Sequence, residues 1–268
     1  SSFNQDISSW DVSSVLYMNL MFSLASSFDQ NISTWNISNV TNMEHMFLEA
    51  NALSDENKCA IHTAFQSNDA WPYDDCDLSF YFKPGSKTEL ETAVDLWCDD
   101  NATALATYGH ISDWKVSLIT NMSQLFMNKT TFNDDISEWD VSNVTHMTQM
   151  FLFSDFNGDV SSWDVSSVTN MQLMFGSSPF NGDVSTWDVS SVVTLQEMFR
   201  NNTTFNGDIS SWDVSSTTNL RQVFQAATSF NGDLSNWDVS NVTRMDQMFY
   251  EASSFNQDLS SWDVSSAT

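Results

Sequence analysis

Nine tryptophans set the register of this chain: Trp10, Trp35, Trp114, Trp139, Trp163, Trp187, Trp212, Trp237 and Trp262 follow one another at steps of 24 or 25 residues, broken once by a gap of 79 after Trp35. Around each runs some version of Phe-Asn-x-Asp-Ile-Ser-x-Trp-Asp-Val-Ser-x-Val-Thr-x-Met-x-x-Met-Phe. A fixed period of this length marks a solenoid, in which each repeat is one coil that buries its apolar face only against its neighbours. A chain built this way is a scaffold first, and its function is expected on a long repetitive surface rather than in one pocket.

The coil around Trp139 shows the pattern. Ile136, Trp139 and Val141 have the L-x-x-L-x-L spacing of leucine-rich repeats, and on a strand Trp139 and Val141 share a face while Asp140 points away. Met147, Met150 and Phe151 have the i, i+3, i+4 spacing of one helical face. Thr41 and Glu44 read as a capping box for the equivalent helix of the second coil. Asn157-Gly158 suits a return turn at positive φ. The expected fold is therefore an α/β repeat, a solenoid of roughly 25-residue coils, each a short parallel strand plus a short helix. The Trp, Phe and Met columns could be ligand platforms, but their placement beside valines favours a thick core between sheet and helices.

Residues 48–109 break the period, between coils at 1–47 and at 110–268. Ser54 precedes a helical pattern from Asp55 to about Ser67, which Trp71-Pro72-Tyr73 ends. Ser86-Lys87-Thr88-Glu89 is a second capping box, followed by the apolar stripe Leu90, Ala93, Val94 and Trp97. A short helix after Asn101 stops at Gly109. The expectation is a helical insertion packed on the solenoid. Its Cys59, Cys76 and Cys98 lack the C-x-x-C pairing of a zinc site even with His62 nearby, so one disulfide between two of the three is expected.

Charge narrows the partners. With 35 acidic residues against 8 basic, the formal charge is -27, which disfavours nucleic acid and anionic membranes and leaves cations, basic proteins and glycans. No run of 18 apolar residues spans a membrane. Ten Asn-x-Ser/Thr sequons, at Asn31, Asn36, Asn39, Asn101, Asn121, Asn128, Asn143, Asn201, Asn202 and Asn241, point to an extracellular or cell-surface protein with N-linked glycans.

The sharpest functional signal is a pair of aspartate columns. One follows the tryptophan: Asp11, Asp140, Asp164, Asp188, Asp213, Asp238 and Asp263. The other precedes it: Asp6, Asp135, Asp159, Asp183, Asp208, Asp233 and Asp258. At a coil spacing of about 4.8 Å, neighbouring carboxylates repel by roughly 0.9 kcal/mol in water. Bridging divalent cations, Ca2+ above all, would compensate this along Asp140, Asp164, Asp188, Asp213 and Asp238. Hydrogen bonds from backbone N–H and the flanking serines would do so equally, as local turn acceptors. In the second coil both acids become asparagine, Asn31 and Asn36, and in the degenerate coil His110 and Lys115 take their places. No cofactor is required by the pattern. The four histidines, His45, His62, His110 and His146, are scattered, and there is no nucleophile elbow, phosphate loop or zinc-protease motif, so no enzyme is expected.

The motif, near-complete at 132–151 and 230–249, resembles the BspA-type leucine-rich-repeat surface proteins, which include mycoplasma lipoprotein repeats and expanded algal sets. The resemblance covers 1–47 and 110–268, while Asn57-Lys58, Ile61-His62, Trp71-Pro72-Tyr73 and Ala106-Thr107-Tyr108-Gly109 look like the algal members. It implies surface or secreted placement and, for some members, adhesion, with no catalytic residues to transfer. The chain starts at Ser1 without an initiator Met or signal peptide and stops mid-coil at Thr268, with no polar cap at either end. That reads as a window of a longer chain or as coils that continue head to tail into a fibre. A structural solenoid is the expected role, with a cation-dependent adhesin or an ice-binding Ser/Thr face as alternatives.

Overall fold

The structure is a computed structural model and describes residues 2–73, 76, 78 and 81–267. They fall into two compact units, Ser1–Tyr81 and Phe82–Thr268, dividing inside the interruption. The helices are α1 (Asp55–Phe65) in the first unit and α2 (Lys87–Asp99) and α3 (Asn101–Tyr108) in the second, with one 3-10 turn at Ile111–Asp113.

Burial follows the sequence pattern. Trp139, Val141, Val144, Met147, Met150 and Phe151 are all buried, as are their equivalents around Trp163 and Trp187. The phenylalanines form two face-to-face columns. Phe151 lies 5.3 Å from Phe126 and 5.5 Å from Phe175, and within its own repeat it stacks on Phe156 at 4.2 Å. Each large ring so buried contributes on the order of 2–3 kcal/mol relative to exposure, which makes the rings the main apolar glue between repeats.

The local elements differ from expectation. Ile136–Val141 is not a strand, and Met147–Phe151 is not a helix but part of a run of turns. Three overlapping turns close it, with Met150 N–H donating to Met147 O at 3.2 Å, Leu152 to Gln149 at 3.2 Å and Ser154 to Phe151 at 3.1 Å. The intervening N–H groups point along the stack instead. Met147 donates to Asn170 O at 2.9 Å, Gln149 to Gln172 at 2.8 Å, Phe151 to Met174 at 2.9 Å and Phe153 to Gly176 at 3.1 Å. A helix would have turned all of these donors inward along its own axis. Here half of them join one repeat to the next, and parallel bridges run Asn121–His146–Asn170–Thr194–Asn219–Arg244. Thr41 begins no helix either, and its hydroxyl donates to Leu16 O at 3.1 Å.

This geometry needs left-handed residues. Each repeat carries two, such as Gln149 (φ 59°) and Phe153 (φ 57°), or Gln222 (φ 55°) and Ala226 (φ 54°). A non-glycine residue pays roughly 1–2 kcal/mol for that conformation. None of the positions is Val, Ile or Thr, the residues that tolerate it least. Gly158 is not one of them. A Cβ there would stand 2.7 Å from the Phe156 ring as that ring is placed, and Gly182, Gly207 and Gly232 face Phe180, Phe205 and Phe230 in the same way, whereas Asp134 and Gln257 hold the equivalent position in other repeats.

Side chains complete the joints. The indole N–H of Trp163 donates to Ile136 O at 3.1 Å, Trp187 to Val160 O at 3.0 Å, Trp212 to Val184 O at 3.0 Å and Trp237 to Ile209 O at 3.0 Å. The indole both fills the core and donates that bond, which a Leu side chain cannot do. The asparagine of Phe-Asn forms a second ladder, its Oδ1 accepting the next repeat's Asn N–H at 2.7 Å for Asn133–Asn157 and 2.8 Å for Asn157–Asn181.

The interruption supplies plugs for each unit. In the first, Phe47 N–H donates to the Tyr73 hydroxyl at 2.8 Å, where Phe22 N–H donates to Met46 O. Asn68 Nδ2 donates to Ile37 O at 2.7 Å, and Asp29 Oδ1 accepts from Ser54 N, Ser54 Oγ and Asn57 Nδ2 at 2.9, 2.8 and 2.7 Å. Ser54 is thereby diverted from capping α1 with its side chain. Burial pushes the Tyr73 phenol well above its usual range.

In the second unit, Ser86 Oγ caps α2 by accepting from Glu89 N at 3.2 Å, while Glu89 reaches back to Gly85 N at 2.8 Å. The stripe Leu90, Ala93, Val94 and Trp97 is buried, and Gly109 at φ 71° stops α3. Trp97 and Tyr108 pack edge-on to Trp114 at 5.9 and 6.0 Å. Lys129 pairs with Asp95 at 2.7 Å. In place of the expected disulfide, Cys59, Cys76 and Cys98 stand as half-buried thiols, and burial pushes Cys98 up to about 11 against the pull of Lys129.

Candidate functional site: the aspartate columns

Both columns are built from one local device. In Asp-x-Ser, the carboxylate Oδ1 accepts the N–H two residues on, an Asx turn. The distance is 2.9 Å for Asp135–Ser137, Asp159–Ser161, Asp183–Ser185, Asp233–Ser235 and Asp258–Ser260, and 3.0 Å for Asp208–Ser210. After the tryptophan it is 3.1 Å for Asp140–Ser142, 3.0 Å for Asp164–Ser166, Asp188–Ser190 and Asp213–Ser215, and 3.1 Å for Asp238–Ser240. The serine hydroxyl adds a 2.6 Å bond at Asp140 and at Asp164. Where the degenerate repeat has His110, its Nδ1 accepts Ser112 N–H at 3.3 Å, so the imidazole stands in for the carboxylate.

The electrostatics follow. Backbone and serine hydrogen bonds hold Asp159, Asp183, Asp208 and Asp233 below the ordinary carboxylate range. Serine hydroxyl bonds, then backbone bonds, do the same for Asp164, Asp188, Asp213 and Asp238. Repulsion down each column opposes this: Asp135 and Asp183 act on Asp159, and Asp213 and Asp263 act on Asp238. The hydrogen bonds win, so the turns themselves supply compensation of the kind the charge pattern demands. Among the described residues there is no group of three or more His, Cys, Asp or Glu side chains arranged to hold a metal ion.

The hydroxyl columns are committed too. Ser162 Oγ donates to Ser137 O at 2.8 Å, Thr186 to Ser161 O at 2.9 Å and Ser211 to Ser185 O at 3.0 Å. These protons tie one repeat to the next.

Nine of the ten sequon asparagines are exposed: Asn31, Asn36, Asn39, Asn101, Asn121, Asn128, Asn143, Asn201 and Asn241. Asn202 is the exception and corrects the expectation. It is fully buried, with Nδ2 donating to Phe180 O at 2.8 Å and Oδ1 accepting from Thr204 N and Phe205 N at 3.1 and 2.9 Å. A sugar on that nitrogen has no room. The sequence had also concealed the Asn202 network, since an Asn-rich loop looks the same whether its amides face in or out.

A cleft of about 510 Å³ in the second unit is lined by Trp97, Cys98, Asn101, His110 and Asp134 among others. Its Trp97 indole donates to Asp134 Oδ2 at 2.8 Å, and Trp97 stands edge-on to His110 at 5.2 Å. These contacts fasten α2 to the repeats.

No helix among the described residues is long and apolar enough to cross a membrane. No curated protein and no solved structure matches the chain. A family profile described as "Mycoplasma protein of unknown function, DUF285" matches residues 1–69, 98–193 and 176–268, that is, over the tryptophan-bearing repeats of both units. With most of its length so matched, the chain belongs to the DUF285 family.

Proposed function

We propose that the chain is an extracellular structural protein: a glycosylated, leucine-rich-repeat-like solenoid that serves in a surface coat or fibre. The observation that carries this reading is the joint between repeats. Backbone N–H groups, Trp indoles, Asn amides and Ser/Thr hydroxyls all bond from one repeat to the next, as at Phe151–Met174, Trp187–Val160, Asn181–Asn157 and Ser162–Ser137. Each repeat is thus a template for another, and end-to-end self-association of copies uses the same chemistry. Stability that grows by adding neighbours suits a load-bearing rod better than a tuned pocket. Immunogold electron microscopy of the source cells tests it. Label on the outer surface or along filaments is expected, whereas label confined to the cell interior overturns the reading.

A second reading, a cation-dependent adhesin, draws on the repulsion between column neighbours such as Asp164, Asp188 and Asp213. Ca2+ would relieve it. Calorimetric titration of Ca2+ into the chelator-treated protein separates the two. Saturable binding that raises the melting temperature favours the adhesin, and no heat beyond dilution leaves the scaffold.

A further inference from the structure

We infer that Asn31 and Asn36 carry N-linked glycans in the folded protein and that Asn202 does not. The inference rests on the extracellular reading and sorts its sequons by geometry. Asn31 and Asn36 occupy the two Asx columns in the second repeat, where the motif elsewhere has aspartate. Each keeps the turn through Oδ1 alone, accepting Ser33 N at 2.9 Å and Ser38 N at 3.2 Å. Both are exposed, and the Nδ2 of each has no partner among the described residues. The same Asn-x-Ser that forms the turn is the sequon. Replacing Asp by Asn here therefore preserves the fold's hydrogen bond and adds a reactive amide.

Glycosylation forms a bond from Nδ2 to the anomeric carbon of a glycosyl diphosphate donor. The diphosphate leaves with the bonding electrons, and one Nδ2 proton passes to a base. At Asn31 and Asn36 that chemistry uses only the idle atom of the amide. At Asn202 it would break the 2.8 Å bond to Phe180 O and force a sugar into a fully buried site. The fold acts as a filter: a chain modified at Asn202 cannot close its core. Asn201 sits beside it in an overlapping sequon but is exposed, which leaves a neighbouring alternative.

The test is to secrete the full chain from a eukaryotic host and map intact glycopeptides on the folded pool. Glycan is expected on both Asn31 and Asn36 in most molecules, with Asn202 bare. Glycan at Asn202 in the folded pool, or Asn31 and Asn36 both bare, overturns the inference. The double variant Asn31→Asp, Asn36→Asp restores the motif aspartates. It should lose the mass of two glycans while its enzymatically deglycosylated form melts within a degree or two of the deglycosylated parent. An unchanged glycan mass overturns the assignment. Because the host supplies the glycosylation machinery, these outcomes are independent of where the native protein resides, which the immunogold experiment decides.

Discussion

The two units solve the same problem at the edge of a repeat with different atoms. Inside the second unit, Phe126, Phe151, Phe175, Phe199 and Phe224 each give a backbone N–H to the carbonyl of the following repeat, at 2.9 to 3.0 Å. In the first unit Phe22 does so, but Phe47 finds the Tyr73 hydroxyl instead, at 2.8 Å. Phe47, Trp71 and Tyr73 then close the aromatic column, with Trp71 and Tyr73 edge-on at 4.9 Å. The lesson is that a repeat needs an acceptor at a given place, and any chain segment able to supply one can end the ladder. The interruption is thus read as two plugs, residues up to Tyr73 serving the first unit and α2–α3 serving the second.

The largest way to break this comparison is inside the longer ladder. Trp212→Ala removes a buried indole and leaves Val184 O without its donor, and should cost about 3–5 kcal/mol. Hydrogen-exchange mass spectrometry should show loss of protection in peptides of the second unit only. Equal loss in residues 2–73 would deny that the units are separately held. Next comes the plug: Tyr73→Phe strands the buried Phe47 N–H, at about 1–3 kcal/mol, and should loosen the first unit while sparing the second. A melt indistinguishable from the parent's would show that the hydroxyl is not the acceptor.

Glycine gives a pair of opposite sign. Gly158→Ala should destabilise by about 1–3 kcal/mol, because the new methyl meets the Phe156 ring. Phe153→Gly relieves an aromatic residue at φ 57° and should stabilise by at most about 1 kcal/mol, since glycine's freedom in the unfolded chain offsets part of the gain. Denaturant midpoints that move in the same direction for both would contradict the backbone described.

The gentlest probe is acid. Hydrogen bonds in the folded state hold Asp159, Asp164, Asp183 and Asp188 below the ordinary carboxylate value of 3.8. Their contribution is present above that unfolded value and is lost as pH falls through the lower folded one. The second unit has carboxylates along both columns, whereas the first has Asp6 and Asp11 beside the neutral Asn31 and Asn36. Stability should therefore fall below about pH 4, and more in the second unit than in the first. Unit-resolved exchange that is flat from pH 6 to pH 3 would argue against the Asx turns.

The core was legible in the sequence because burial repeats with the period: Trp139, Val141, Met147 and Phe151 face inward as their spacing implies. The secondary structure was not, for a physical reason. Residues at i, i+3 and i+4 also share a face in consecutive turns, so Met147, Met150 and Phe151 fit helix and turns alike. The distinguishing signal was present but negative: no β-branched residue stands at the two left-handed columns. α2 and α3 were readable through Ser86 and Gly109, which act locally. Tyr73 as an acceptor and Asn202 as a buried hub were not, since both depend on partners tens of residues away. For the aspartate columns, the turn-acceptor reading matches the observed bonds.

The central claim is that alternate N–H groups in each turn segment bond to the following repeat. Trans-hydrogen-bond NMR couplings in the deuterated protein test it directly. The account expects a coupling from Phe151 N to the Met174 carbonyl carbon and from Gln149 N to that of Gln172. Couplings from those same amides to carbonyls four residues earlier in their own repeat would contradict it and restore a helix in every coil.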